Sequence, residues 1–121
     1  MRKPGSDPSN VQMDDVICDF CHREWSAEEP MIEGHQGSCI CGKCLTVAYR
    51  EVVIGKADSA TAKYQCTMCL EKEADRAALN RGGEPGWGSP AYPVASICRR
   101  CIKLGAASLH KDSDFDWTKP K

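Results

Sequence analysis

Long apolar runs are missing from this sequence. Its fully apolar stretches are short, such as Val52-Val53-Ile54, and none approaches the ~20 residues that a membrane-spanning helix needs. Aromatic residues are scarce, with three Trp, three Tyr and two Phe in 121 residues. Two modules of ~50 residues cannot hold a fold on so thin a core without staples. Charge of one sign is missing too. Sixteen Lys and Arg against 17 Asp and Glu leave a formal charge of −1, which gives no bulk attraction to nucleic acid or to an anionic membrane. No GxxxxGK[ST] phosphate loop occurs, and there is no room for an ATPase domain. The first residues, Met1-Arg2-Lys3-Pro4-Gly5, carry positive charge but lead into no apolar segment, so they do not read as a secretory signal. The expected location is cytoplasmic, where disulfides are rare. The three His are scattered and no nucleophile–base set is present, so no enzyme is expected.

Cysteine, by contrast, is abundant, with nine residues. Eight fall into four CxxC pairs: Cys18 with Cys21, Cys41 with Cys44, Cys66 with Cys69, and Cys98 with Cys101. The first two pairs are separated by 19 residues and the last two by 28. A CxxC turn presents two thiolates to one metal, and a second pair brought in by the fold completes a tetrahedral all-sulfur site selective for Zn²⁺. Disulfides are disfavoured by the odd cysteine count, and a redox pair by the lack of a βαβ pattern. The sequence therefore predicts two Zn²⁺ per chain, one on Cys18, Cys21, Cys41 and Cys44 and one on Cys66, Cys69, Cys98 and Cys101. Sequential pairing is preferred to a cross-braced one because each half repeats the same plan. Four cysteines per zinc leave no open position, so the metal is structural. Its binding supplies on the order of 10–16 kcal/mol per site. Cys39 is left over and reads as a small buried residue, the alternatives being a spare ligand or a reactive thiol. Arg23, Lys43, Arg99 and Arg100 beside the knuckles are expected to offset thiolate charge.

The rest of the chain falls into place around the cysteines. Residues 1–13 read as a disordered tail, 14–55 as a first C4 module, 56–63 as a linker, 64–110 as a second C4 module and 111–121 as a second tail. In the first module, residues 22–40 suit a short hairpin. A helix follows, with Leu45, Ala48, Tyr49, Val52 and Val53 forming one apolar stripe. In the second module, residues 70–79 suit a short charged helix or an extended stretch, and 80–93 a Gly/Pro-rich loop carrying Trp87. The fold class expected is small zinc-stabilised α+β: two tandem modules of treble-clef or zinc-ribbon type, each with two knuckles, a short hairpin and a helix. Cys-Gly-Lys-Cys-Leu-Thr-Val-Ala (41–48) parallels Cys-Arg-Arg-Cys-Ile-Lys-Leu-Gly (98–105).

Residues 16–54 resemble the ClpX-type C4 zinc-binding domain. The resemblance is carried by Val16-Ile17-Cys18-Asp19-Phe20-Cys21, by Met31-Ile32-Glu33-Gly34, and by Cys39-Ile40-Cys41-Gly42-Lys43-Cys44-Leu45. A weaker second copy covers residues 64–109. The resemblance implies zinc binding by four cysteines, dimerisation, and docking of a protein or peptide partner. The motor that accompanies this domain in ClpX has no counterpart here. The expected function is a zinc-binding interaction module whose helix stripe (Leu45, Ala48, Tyr49, Val52, Val53) binds a partner protein or a second copy. Alternatively, the second module covers that stripe within one chain. A nucleic-acid-binding zinc ribbon is the alternative function, supported by Arg99-Arg100 and by Trp87 and Tyr92 as stacking platforms. Two ZnS₄ sites would take the formal charge from −1 to about −5, which opposes it.

Overall fold

A computed structural model describes residues 1–13 and 15–121. Its regular elements are short. β1 (Met31–Glu33) and β2 (Cys39–Cys41) form an antiparallel hairpin that pairs Ile32 with Ile40. β2 runs directly into α1 (Gly42–Ala48), and the helix continues over Tyr49–Ile54 with π-helical winding. In the second half, α2 (Glu73–Ala78) precedes a hairpin of β3 (Gly86–Gly88) and β4 (Ser96–Cys98), which pairs Trp87 with Ile97. β4 runs directly into α3 (Arg99–Lys111). The order of knuckle, hairpin and helix thus occurs twice in a small α+β fold.

The repeat extends to single hydrogen bonds. Asp19 N donates to Cys39 O at 3.0 Å, and Cys39 N returns a bond to Asp19 Oδ1 at 2.9 Å. At the matching positions Thr67 N donates to Ser96 O at 2.7 Å, and Ser96 N bonds Thr67 Oγ1 at 3.0 Å. Gly42 N reaches Pro30 O at 2.9 Å, and Arg99 N reaches Pro85 O at 3.1 Å. Cys39 and Ser96 therefore hold equivalent places, as do Ile40 and Ile97, Leu45 and Ile102, and Ala48 and Gly105.

The two halves cover each other reciprocally. His35 N, at the tip of the first hairpin, donates to Met68 O in the second knuckle at 2.8 Å. Ser89 Oγ, at the tip of the second hairpin, donates to Phe20 O in the first knuckle. The approach at Met68 is so close that a Cβ on Gly34 would lie 2.6 Å from its carbonyl oxygen. Between the hairpins the two helices meet, and one contiguous core draws Leu45, Ala48 and Val52 from one half and Trp87, Ile97 and Ile102 from the other. Two thin cores are pooled into one, and the apolar area removed from water grows accordingly.

Segments expected as tails and linker make specific contacts. Lys3 N donates to Asp15 O at 2.6 Å, and Ile17 N donates to Met1 O at 2.8 Å. Trp117 Nε1 bonds Thr46 Oγ1 at 3.0 Å on α1. In the linker, Ser59 N donates to Gly86 O at 3.0 Å while Gly86 N donates to Asp58 Oδ1 at 3.1 Å, so this stretch lies along β3.

Candidate metal centres

Each metal-binding group is assembled by three local devices. The first CxxC sits on a turn closed by His22 N donating to Cys18 O at 2.8 Å, and Leu70 N does the same to Cys66 O at 2.8 Å. The residue after each turn takes the left-handed conformation, His22 with φ 60° and Leu70 with φ 66°. The second device is the hairpin, whose last residue, Cys41 or Cys98, delivers the third sulfur. The third is the helix start, since Cys41 and Cys98 are the N-cap residues of α1 and α3. The fourth sulfur, Cys44 or Cys101, thus lies in the first helical turn, where the unpaired amides and helix dipole favour thiolate.

The sulfurs of Cys18, Cys21, Cys41 and Cys44 lie within 4.8 Å of one another, and so do those of Cys66, Cys69, Cys98 and Cys101. This is the sequential grouping; the cross-braced one does not occur. Tetrahedral zinc with Zn–S of about 2.3 Å requires sulfurs about 3.8 Å apart. Cys21 and Cys41 are 3.7 Å apart, and Cys69 and Cys98 3.9 Å. Amide groups also point at the sulfurs. Phe20 N and Cys41 N lie 3.4 and 3.3 Å from Cys18 Sγ, and Cys69 N and Cys98 N lie 3.5 and 3.4 Å from Cys66 Sγ. The donor sets fit Zn²⁺, and both are positioned to bind it.

Proton chemistry agrees. Hydrogen bonds from Cys41 and Cys44 pull the Cys18 thiol down to about 2, while Cys41 is pushed up to about 12 because its proton is shared with the Cys18 sulfur. In the second cluster, bonds from Cys101 and Cys98 lower Cys66, and burial pushes Cys69 up to about 12. Cys44 and Cys101 are raised by the same sulfur–sulfur bonds. In each cluster one thiol is thus lowered and its sulfur neighbours are raised; a bound dication favours the thiolate form of its ligands, and its binding releases protons.

Residues 16–52 match the family model of the ClpX C4-type zinc finger. The match covers the first knuckle, the first hairpin and most of the first helix. No curated protein and no solved structure matches the chain. The second cluster, spanning residues 66–101, lies outside that match and repeats the geometry and hydrogen bonding of the first.

Other residues singled out in the sequence lie as follows. Cys39 stands outside both clusters. It is fully buried, its thiol is raised by burial, and Sγ donates to Ile17 O at 2.9 Å. His22 stacks on Tyr92 with ring centroids 3.6 Å apart. Trp87 is only 3 % exposed; the loop that carries it is a hairpin strand. The Trp87 ring is therefore not free to stack on a base, and one face of Tyr92 is covered by His22. In the helix stripe of the ClpX-type finger, Leu45, Ala48 and Val52 are buried against the second half, and Tyr49 and Val53 are half-buried at its edge. The stripe was expected on a regular α-helix. The winding is π-helical over Tyr49–Ile54 instead.

The cations around the sulfurs differ from expectation. Arg23 pairs with Glu29 at 4.0 Å, and among the described residues none of Arg23, Lys43, Arg99 or Arg100 donates to a cluster sulfur. Arg81 does. Its guanidinium lies 3.8 Å from Cys98 Sγ and is held by Glu71 at 2.9 Å and by Glu84. Arg76 was also missed. It is fully buried, donates to Tyr64 O at 2.6 Å and Glu71 O at 2.8 Å, and lies 3.9 Å over the Tyr64 ring. These bonds pin α2 to the second knuckle.

Proposed function

We propose that this chain is a zinc-stapled interaction module that binds a partner protein or peptide and performs no chemistry of its own. The eight clustered cysteines are the ligands of two structural Zn²⁺. The observation that carries the reading is the closure of both clusters. Each offers four cysteine sulfurs in one tight group, and a ZnS₄ site keeps no position for water or substrate. The match of residues 16–52 to the ClpX C4-type zinc finger supports a binding role. Reduced, clustered thiols fit a cytoplasmic setting, and no helix is long and apolar enough to cross a membrane. The second half occupies the place a second copy would take on the helix stripe, so the chain is monomeric. Tyr49 and Val53, at the exposed edge of that stripe, remain the candidate contact residues there.

The test is capture of partners on the zinc-loaded protein, followed by reconstitution of each candidate with purified components. Direct binding to a purified protein, lost with the Cys66→Ser variant, is the expected result. Steeply salt-dependent binding to nucleic acid, with no protein partner, would overturn the reading. Native mass spectrometry should show one chain with two zinc ions.

A further inference from the structure

The reciprocity of the halves fails at one place. Trp87 of β3 lies between the first knuckle and the first helix. Its ring stacks on Phe20 with centroids 5.7 Å apart, and Nε1 donates to Glu51 Oε2 at 2.6 Å. The equivalent positions in the opposite direction are Ile32 of β1, Met68 of the second knuckle and Ser108 of α3. Ile32 is too short to fill the matching space. A groove of about 490 Å³ opens there instead, lined by Ile32, Met68, Cys101, Leu104, Gly105 and Ser108.

We propose that this groove is a docking site for a tryptophan side chain presented by a partner protein. The inference rests on the protein-binding reading above and assigns it a surface. The molecule itself shows what such a seat holds, since Trp87 fills the equivalent one with an indole. The two seats share a plan: an apolar floor from the opposite knuckle (the Phe20 ring under Trp87, the Met68 thioether in the open groove), a small residue in the helix (Ala48 or Gly105), and an oxygen one helical turn further (Glu51 or Ser108) to accept the indole N–H. The groove is continuous with the contact between the halves. A Cβ at Gly105 would lie 3.6 Å from Leu45 and 3.8 Å from Ile32. Its outer wall is apolar and uncovered, with Leu104 56 % exposed. Arg100 also lines the groove. Its guanidinium has no ion-pair partner among the described residues, which suits it to cap the face of a bound ring. The volume lies in the range of ligand sites, about 300–1,000 Å³.

The experiment is a titration of the ¹⁵N-labelled, zinc-loaded protein with N-acetyl-tryptophanamide, with N-acetyl-leucinamide as comparison. The expected result is a set of amide shifts confined to Ile32, Gly34, Met68, Gly105 and Ser108, with Kd on the order of 1 mM and weaker shifts for the leucine amide. Ile32→Trp supplies an indole from within and should abolish these shifts while raising the unfolding midpoint. Leu104→Glu, at an exposed position, should weaken binding about tenfold in a folded protein; it carries the test should Ile32→Trp not fold. Shifts elsewhere, no shifts, or a folded Leu104→Glu variant that binds like the parent would each overturn the groove. Shifts at these residues on raising the protein concentration alone would assign it to a second copy and overturn the proposal too. The reconstitution with purified partners answers separately for the protein-binding reading, which survives if a partner binds another face.

Discussion

Replacing Leu45 by Asp distinguishes a stripe that holds the two halves together from one that faces another molecule. Leu45 is fully buried, and its neighbours include Gly105 of α3. Loss of the side chain alone, as in Leu45→Ala, should cost about 2–5 kcal/mol. With an m-value of about 1.5 kcal/mol/M for a chain of this size, that lowers the urea midpoint by about 1.3–3.3 M. Leu45→Asp adds the cost of burying a carboxyl group, as an unpaired charge or as an acid without a partner. Against a total stability of about 5–15 kcal/mol, that is enough to separate the halves. The assay is amide dispersion in a ¹H–¹⁵N spectrum together with the urea midpoint, both on zinc-loaded protein. Ile102→Asp, at the equivalent position of α3, should behave alike. Val47→Asp in the same helix, 43 % exposed, should stay within about 0.5 kcal/mol of the parent. The reasoning is refuted if Leu45→Asp stays folded with its midpoint unchanged and sediments as a smaller species than the parent, because the stripe would then be an interface between chains.

Removing zinc with a chelator should unfold both halves together, since they share one core; retention of the amide dispersion in metal-free protein would contradict this. Arg81→Met removes the cation beside Cys98 and should weaken the second site about 10–100-fold, leaving the first unchanged, as read by competition with a colorimetric zinc ligand. Trp87→Phe leaves Glu51 without its indole donor and should cost about 1–3 kcal/mol in the urea midpoint. Cys39→Ser should fold and still hold two zinc ions by native mass spectrometry, because Ser96 fills the equivalent place and a hydroxyl can also donate to Ile17 O.

The metal centres were legible in the sequence because their logic is local. A CxxC turn places its two sulfurs by backbone geometry alone, and the hairpin before Cys41 ends where the helix stripe begins. Leu45, Ala48 and Val52 declared a face to be covered but not what covers it, since an apolar face fits a second module or a second chain equally well. Trp87 was obscured by the Gly and Pro around it, which read as a loop, while Gly86 and Gly88 flank it inside β3. Arg81 and Arg76 lie in a stretch rich in both charge signs, where sequence spacing names no partner. Their roles come from the knuckle folding back to Glu71 and Tyr64.

The fusion of two such modules changes what each must do. A single module of about 40 residues, even with its zinc, leaves Leu45, Ala48 and Val52 facing water, and a second copy would have to meet it at working concentration. A tether of a few residues raises the effective concentration of the second module to about millimolar or higher. Here the tether is also fastened along β3 through Asp58 and Ser59, so less of its freedom remains to be lost. Fusion also removes the symmetry that a homodimer imposes. In a symmetric pair, a tryptophan that closed one seat would close both. In one chain the seats diverge: Trp87 with Glu51 seals one side and ties the halves together, while Ile32 with Ser108 leaves the other open. The structural burden thereby falls on one seat, and the opposite groove, still floored by the same core, is free to accept a ring from outside.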